Sequence, residues 1–268
     1  MDRDELELVR ASMRQLLTEC GAADVPAQLL ESGWGELVGD DPATAVSVLA
    51  EEQGRTLAAT PVLDLVLLHG AGLPLDPTTA FVLPRLQRAS TPSSVEGDTI
   101  SIDGLVLAGH ERASSFLVLA PGAAIVAVSP GDLRFEPVAG GDPDLGLHRA
   151  LGEVRTADVQ VVASADASRA ALAAGRRALA AELIGLSERM LDDTVAYVVD
   201  RQQFGRPIAT FQTVKHRLAD VKVATSSAHA ALRTAWLDDD ATSAVAAKCL
   251  AGRASRVAAT NCHQVHGG

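Results

Sequence analysis

Two short stretches of this chain hold the side chains best suited to binding chemistry. Residues 201–205 read Arg-Gln-Gln-Phe-Gly, and residues 264–268 read Gln-Val-His-Gly-Gly. An arginine guanidinium forms forked, charge-assisted hydrogen bonds with phosphate or carboxylate oxygens, and a glutamine amide can both donate and accept. Because the whole chain carries a net charge of -11, an anionic small ligand would need local donors of this kind.

Each residue also has a structural explanation when it is taken alone. Arg201 ends a long helical pattern, where it could offset the helix dipole or pair with Asp200 or Asp193. Phe204 could be a core residue, and Gly205 followed by Pro207 is a common signal for the end of a helix. The conjunction of the two stretches, rather than any single residue, favours a binding site.

Helical patterns occupy both ends of the chain and must position these stretches. Apolar residues recur at helical spacing from about Glu5 to Gly70, and Asp41-Pro42 is typical of a helix start. Between Ala80 and Val162 the pattern changes to short apolar runs, which predict strands. Helical spacing returns from Ala165 to about Val265. The turn signals between the strands are Glu96-Gly97-Asp98, Asp103-Gly104, Pro121-Gly122, Pro130-Gly131-Asp132 and Gly140-Gly141-Asp142-Pro143.

The sequence therefore predicts an α+β protein with three domains. These are an N-terminal helical domain (1–78), a small and shortened central β domain (79–163) and a C-terminal helical bundle (164–268). The first helix of the bundle is apolar on two faces, so we expect it to be buried in the bundle or against a second subunit. One face holds Leu179, Leu183, Leu186 and Met190, and the other holds Ile184, Leu191, Val195 and Val198.

Composition excludes several classes of protein. The N-terminus is charged and no long apolar run occurs, which predicts a soluble, cytoplasmic protein without a membrane contact. The acidic balance argues against binding to nucleic acid. Cys20, Cys249 and Cys262 are too few for a disulfide framework, and Cys262, His263 and His266 lack a third ligand at regular spacing, so we expect no metal site.

The element order and the motifs together resemble the acyl-CoA dehydrogenase family of flavoproteins. Residues 196–208 look like the family's signature, a tyrosine followed by Arg-x-x-Phe-Gly and then x-Pro-Ile. Phe211-Gln212 followed by Leu218-Ala219-Asp220 is similar to the next family helix, and residues 264–268 are like its Gln-x-x-Gly-Gly. Residues 49–55 are also similar to an N-terminal helix of the family, so the resemblance spans the chain.

This resemblance implies an FAD site between the β domain and the bundle that reaches a neighbouring subunit. It implies that Arg201 binds the pyrophosphate, that Phe204 faces a flavin or adenine ring, and that glutamine amides contact phosphate, ribose or adenine. The glycines would let the backbone approach the cofactor closely. The cofactor-binding residues that it implies are Arg201, Phe204, Gly205, Gln212, Gln264, Gly267 and Gly268.

The chain departs from the family pattern in the β domain and at the catalytic base. Residues 82–85 and 105–110 match neither of the family's flavin-contacting segments. The base, a glutamate, lies in most members after the Gly-Gly pair, with which this sequence stops, or in a minority at the position of Gly175. We interpret Glu188 as a solvated surface residue, leave Glu182 undecided, and assign no catalytic residue.

Both departures resemble the truncated, two-gene acyl-CoA dehydrogenases of actinobacterial steroid and cholesterol side-chain breakdown. That resemblance implies an α2β2 heterotetramer in which this chain completes the FAD site of a second acyl-CoA dehydrogenase-like subunit. The substrate would be a bulky acyl-CoA, oxidised to an α,β-unsaturated thioester, with electron-transfer flavoprotein as acceptor. Two alternatives stay open: a non-catalytic structural subunit with a degenerate flavin site, and a flavin oxidase or monooxygenase on the same fold.

Overall fold

A computed structural model describes residues 2–85, 91–120, 124–140 and 142–267. The predicted turn at Pro121-Gly122, Gly141 of the predicted turn at residues 140–143, and Gly268 lie outside the described residues. The chain divides into two compact units. The helical unit comprises Met1–Thr18, Asp41–Ala58 and Arg176–Gly268, and the sheet-containing unit comprises Glu19–Asp40 and Ala59–Gly175.

Helices precede the strands, as the apolar spacing predicts. They are α1 (Arg3–Glu19), α2 (Val25–Glu31), α3 (Trp34–Asp40), α4 (Pro42–Thr56) and α5 (Val62–Gly70). The predicted start at residues 41–42 is confirmed, because Asp41 accepts a hydrogen bond from the Thr44 amide at 3.0 Å and Pro42 occupies the first helical turn.

The strands of the sheet-containing unit form two sheets around a shared apolar core. They are β1 (Thr79–Val82), β2 (Ser93–Glu96), β3 (Thr99–Val106), β4 (Ser115–Leu119), β5 (Ile125–Val128), β6 (Leu133–Pro137), β7 (His148–Arg155) and β8 (Gln160–Ala163). One sheet has the order β1-β4-β5-β8, with β1 parallel to β4, and the other has the antiparallel order β2-β3-β7-β6. Val82 and Phe116 of the first sheet and Ile102 of the second share the core.

The chain ends in a second group of helices, so the α+β prediction is confirmed. The elements are α6 (Ala165–Asp200), a short hairpin of β9 (Gln202–Gln203) and β10 (Arg206–Pro207), α7 (Gln212–Asp238) and α8 (Ala241–Val265). Asp240 caps α8 by accepting from the amides of Thr242 and Ser243 at 2.6 and 3.0 Å. The division into domains at 1–78, 79–163 and 164–268 stays a prediction.

Small residues, rather than the predicted leucine stripe, supply much of the buried face of α6. The side chains that are almost fully buried within the helical unit include Ala178, Ala180, Ala181 and Ile184. The predicted stripe from Leu179 to Met190 is only half-buried, and Val195 of the second stripe is 44% exposed. Alanine is favoured at the buried positions because it lets the neighbouring helices approach closely.

Glycines mark the closest approach, where α4 crosses α6. A Cβ atom added to Gly54 would lie 2.0 Å from the Glu182 carbonyl oxygen, and one added to Gly185 would lie 2.0 Å from the Glu51 carbonyl oxygen. Each helix therefore needs a residue without a side chain at the crossing. The crossing also brings the carboxyl groups of both helices into the interior of the helical unit.

Candidate functional site

The first predicted stretch forms a tight hairpin at the C-terminal end of α6. The Arg201 amide donates to the Tyr197 carbonyl at 2.9 Å, which completes the last helical turn, and the Ile208 amide donates to the Arg201 carbonyl at 2.8 Å. Phe204 and Gly205 form the tip, with φ values of 54° and 76°. Consecutive positive φ angles are those of a type I′ hairpin turn, which explains the glycine but is unusual for phenylalanine.

The Phe204 ring lies at the surface and does not belong to the core. Its side chain is 92% exposed, and it meets the ring of Phe211 edge-on with 6.2 Å between centroids. The Arg206 guanidinium lies over the other aromatic ring, 4.4 Å from the Phe211 centroid. The interpretation of Phe204 as a core residue is therefore excluded, and the hairpin presents an apolar face beside exposed arginines.

The remaining predicted residues lie at helix ends of the same unit. Gln212 is the exposed first residue of α7, immediately after the Phe211 cap position. Gln264 is exposed in the last turn of α8, and Gly267 follows with a φ of 99°. An added Cβ at Gly267 would meet nothing within 4 Å, so its positive φ is the reason for glycine within the chain itself. Gly268 lies outside the described residues.

A contact between α6 and the end of α8 brings the two stretches to one end of the helical unit. The rings of Tyr197 and His266 stack with 4.2 Å between centroids and 24° between planes. Thr194 Oγ1 lies 3.3 Å from His266 Nε2. Sequence reasoning named Tyr197 only as part of a signature and weighed His266 only as a metal ligand, although both fall inside the motifs.

The β segments that depart from the family pattern are occupied by their own sheet contacts. Leu83 and Leu105 exchange backbone hydrogen bonds of 2.7 and 2.8 Å, so these amides are not free to contact a ligand. His110 is buried against the rings of His148 and Phe135, with centroid distances of 4.4 and 4.8 Å. Burial lowers the pKa of His110.

Glu188 is not a solvated surface residue, and that interpretation is wrong. Its carboxylate lies 3.2 Å from the Arg55 guanidinium and 3.0 Å from His229 Nε2. The hydrogen bond from His229 lowers the pKa of Glu188 despite its partial burial. Glu182 lies deeper, where burial raises the pKa of the carboxyl group even though Gln53 forms a hydrogen bond with it.

A second group of carboxylates, on α4, escaped sequence reasoning. Arg10 of α1 donates to Glu51 at 2.6 Å and to Glu52 at 3.3 Å, and Arg14 donates to Glu52 at 2.8 Å. Burial raises the pKa of Glu51, against the effect of Arg10. His229 also lies 3.9 Å from Glu51, so it bridges α4 and α6. The signal for these pairs was two adjacent glutamates inside an apolar helical pattern.

Comparisons of the sequence place the chain among known proteins. A family model described as acyl-CoA dehydrogenase, C-terminal domain, matches residues 165–268. The acyl-CoA dehydrogenase IpdE2 of Mycobacterium tuberculosis is 32% identical over 297 residues, covering 99% of this chain and 86% of that protein. IpdE2 of Mycolicibacterium smegmatis is 31% identical over 293 residues, covering 99% and 87%. The chain belongs to the acyl-CoA dehydrogenase family.

Solved structures of acyl-CoA dehydrogenases share the fold across the whole chain. A variant of the steroid acyl-CoA dehydrogenase Tcur3481–Tcur3483 superposes with a TM-score of 0.76 at 22% identity, covering 99% of this chain and 87% of that one. The ChsE4–ChsE5 complex of Mycobacterium tuberculosis gives a TM-score of 0.75 at 20% identity, covering 100% and 88%. The predicted acyl-CoA dehydrogenase-like fold is thus confirmed.

Two further properties of this acyl-CoA dehydrogenase concern metals and membranes. Within residues 2–85, 91–120, 124–140 and 142–267, no group of three or more His, Cys, Asp or Glu side chains is placed to hold a metal ion. None of the helices in the described part of the chain combines the length and apolar character needed to cross a membrane.

Proposed function

We propose that this chain is a subunit of an FAD-dependent acyl-CoA dehydrogenase that completes the FAD site of a second acyl-CoA dehydrogenase-like subunit in a cytoplasmic α2β2 complex. The complex would oxidise a bulky steroid or cholesterol side-chain acyl-CoA to an α,β-unsaturated thioester and pass electrons to electron-transfer flavoprotein. When bound, FAD accepts the hydride from the β carbon of the acyl group. This chain's own residues bind and orient the cofactor.

The exposed Phe204 ring is the observation that carries this proposal. An apolar side chain that is 92% exposed at the tip of a hairpin, on a residue with φ of 54°, buries little area against its own chain. Such a ring suits contact with a flat ligand or with another subunit. Because the ring points away from the core of its own unit, the ligand it meets belongs on the far side of an interface.

The donor set at this end of the helical unit fits the phosphate-bearing part of FAD. Arg201 supplies a guanidinium for the pyrophosphate, and the exposed amides of Gln212 and Gln264 supply donors and acceptors for phosphate, ribose or adenine. The β segments do not fit the isoalloxazine, because the amides of Leu83 and Leu105 bond to each other's carbonyl groups. This asymmetry favours donation to a partner's FAD over a complete site in this chain.

Glu188 on α6 suits a structural role better than catalysis. A base for the α proton must be a carboxylate aimed at the substrate carbon in a water-poor pocket. Glu188 is held by Arg55 and His229 instead. We therefore propose that the partner subunit, or a segment beyond the residues described, supplies the base.

The substrate class and the heteromeric state rest on the relatives. Tcur3481–Tcur3483 is a steroid acyl-CoA dehydrogenase, and ChsE4 and ChsE5 form a complex. The chain spans 86% of IpdE2 of Mycobacterium tuberculosis. The arrangement with a partner subunit is our proposal for the whole enzyme.

Co-expression with a candidate partner tests the proposal. We expect the purified complex to be yellow, and Arg201→Ala to lower its flavin content and turnover several-fold by removing the pyrophosphate contact. Arg233→Ala is the matched control, since Arg233 is also an exposed arginine of the helical unit but lies outside the binding stretches. A yellow, fully active homo-oligomer of this chain alone would refute the heteromeric arrangement.

A non-catalytic structural subunit is the second candidate, and the engagement of Glu188 favours it. In that case Arg201→Ala would leave the flavin content and turnover of the complex unchanged. Rapid consumption of oxygen by the reduced complex would instead indicate a flavin oxidase or monooxygenase.

A further inference from the structure

We propose that the stacked pair Tyr197–His266 is a positioning device that holds the two flavin-binding stretches in register and thereby sets the affinity of the complex for FAD. This inference rests on the proposed function, because it concerns the same end of the helical unit. Neither residue need touch the cofactor. Both residues act by fixing the backbone of the stretches that contact the cofactor.

The pair joins the last turn of one helix to the last turn of another. Tyr197 accepts the final α6 hydrogen bond from the Arg201 amide at 2.9 Å, so its position fixes where the hairpin begins. His266 donates its own amide to the Cys262 carbonyl at 3.1 Å and immediately precedes Gly267. The stack, with 4.2 Å between centroids, therefore couples the hairpin to the end of α8.

Hydrogen bonding orients the His266 ring. The Thr194 hydroxyl donates its single hydrogen to the Met190 carbonyl at 2.7 Å. It can therefore only accept from His266, which must carry its proton on Nε2 to make the 3.3 Å contact. In the neutral ring, Nδ1 then carries no proton, and a flip of the imidazole ring would break the hydrogen bond to Thr194.

Helix ends are the least constrained parts of a bundle, so a contact between two helix ends restricts the motion of both. Terminal turns fray unless tertiary contacts hold them. An aromatic pair changes an equilibrium constant by up to about tenfold beyond the effect of its buried area. If the pair keeps both stretches in their binding geometry, its loss should appear as weaker flavin binding with little change in assembly.

Measuring the FAD dissociation constant of the reconstituted complex tests the inference. We expect Tyr197→Leu and His266→Ala each to weaken FAD binding about tenfold. We expect Tyr197→Phe, which keeps the ring, to restore nearly normal binding. The double variant should bind no worse than either single variant, because the pair acts as one unit. His263→Ala is the control, since His263 is exposed in the same turn of α8.

Assembly and proton position are measured on the same proteins. The variants should elute with the complex in size-exclusion chromatography, and their thermal midpoints should stay close to that of the control. The nitrogen shifts of labelled His266 in the full chain should report a proton on Nε2, and Thr194→Val should remove that preference while Thr194→Ser keeps it.

The outcomes separate this inference from the proposed function. If Arg201→Ala leaves the FAD dissociation constant unchanged, the proposed function fails and the positioning role fails with it. If Arg201→Ala weakens binding but Tyr197→Leu and His266→Ala do not, only the positioning role is overturned. Additive losses in the double variant, or loss of flavin in proportion to loss of assembly, would also overturn it.

Discussion

Replacing Gly185 with alanine should destabilise the helical unit, because α4 and α6 cross there with their backbones in contact. The new Cβ would lie 2.0 Å from the Glu51 carbonyl oxygen and 2.9 Å from the Glu51 Cα. Heavy atoms essentially never approach a Cβ closer than 3.0 Å, so the helices must separate by about 1 Å at the crossing. A backbone oxygen cannot rotate away as a side chain would.

The magnitude follows from two opposing effects. Overpacking of a well-packed interior costs about 1–3 kcal/mol, and a clash with backbone on a rigid helix should lie at the upper end, about 3 kcal/mol. Alanine is the better helix former by about 1 kcal/mol in a helix interior. The net loss of unfolding free energy should therefore be about 2 kcal/mol.

Gly252 provides a matched control in the interior of α8. An added Cβ there meets nothing within 4 Å. Gly252→Ala should therefore show only the gain in helix propensity, about 1 kcal/mol. Because one displacement of the helices relieves both clashes, Gly54→Ala combined with Gly185→Ala should cost less than the sum of the single variants.

Urea denaturation of the full chain, followed by circular dichroism at 222 nm, measures the effect. The midpoint of Gly185→Ala should fall and that of Gly252→Ala should rise, with similar slopes. A rise for Gly185→Ala equal to that of Gly252→Ala would refute the close crossing of α4 and α6.

The other predictions concern buried charges. Burial raises the pKa of Asp64 to about 7. The contribution of Asp64 to stability should therefore be largest below pH ~4 and fall by up to about 4 kcal/mol as the pH rises to ~7. Asp64→Asn keeps an acceptor for the Phe81 amide and should reduce the change of the urea midpoint with pH between pH 4 and 8. A midpoint that changes with pH as it does in the wild type would contradict this. Arg10→Ala leaves the buried Glu51 without its guanidinium and should lower the free energy of unfolding in urea by about 3 kcal/mol. Arg169→Ala breaks an exposed pair and should cost under about 1 kcal/mol. Equal losses would contradict the idea that burial makes the Arg10 pair more important.

Local signals in the sequence predicted the elements well. The cap at Asp41 starts α4 where the sequence places it, since a cap needs only its own helix. The strands between Thr79 and Ala163 follow from short apolar runs and turns. The candidate stretches also came from the sequence, because their residue types and order resemble a family.

Contacts between distant residues could not be predicted in the same way. Glu188 looked like a surface residue, yet it pairs with Arg55, 133 residues earlier in the chain. The leucine stripe of α6 looked like its buried face, yet small residues are buried more deeply than Leu183. Helical spacing shows which residues share a face but not which neighbouring helix covers that face, and both errors have this cause.

The sequence by itself determined the family, the order of the elements and the residue types at both binding stretches. Only the tertiary structure decided that these stretches meet at one end of the helical unit, through the stacking of Tyr197 on His266, and that Phe204 faces outward. The physical reason is that residue chemistry and backbone caps are local properties. Helix packing sets proximity and exposure, and here glycines such as Gly54, lying where an added Cβ would strike the backbone of a neighbouring helix, bring α4 and α6 together.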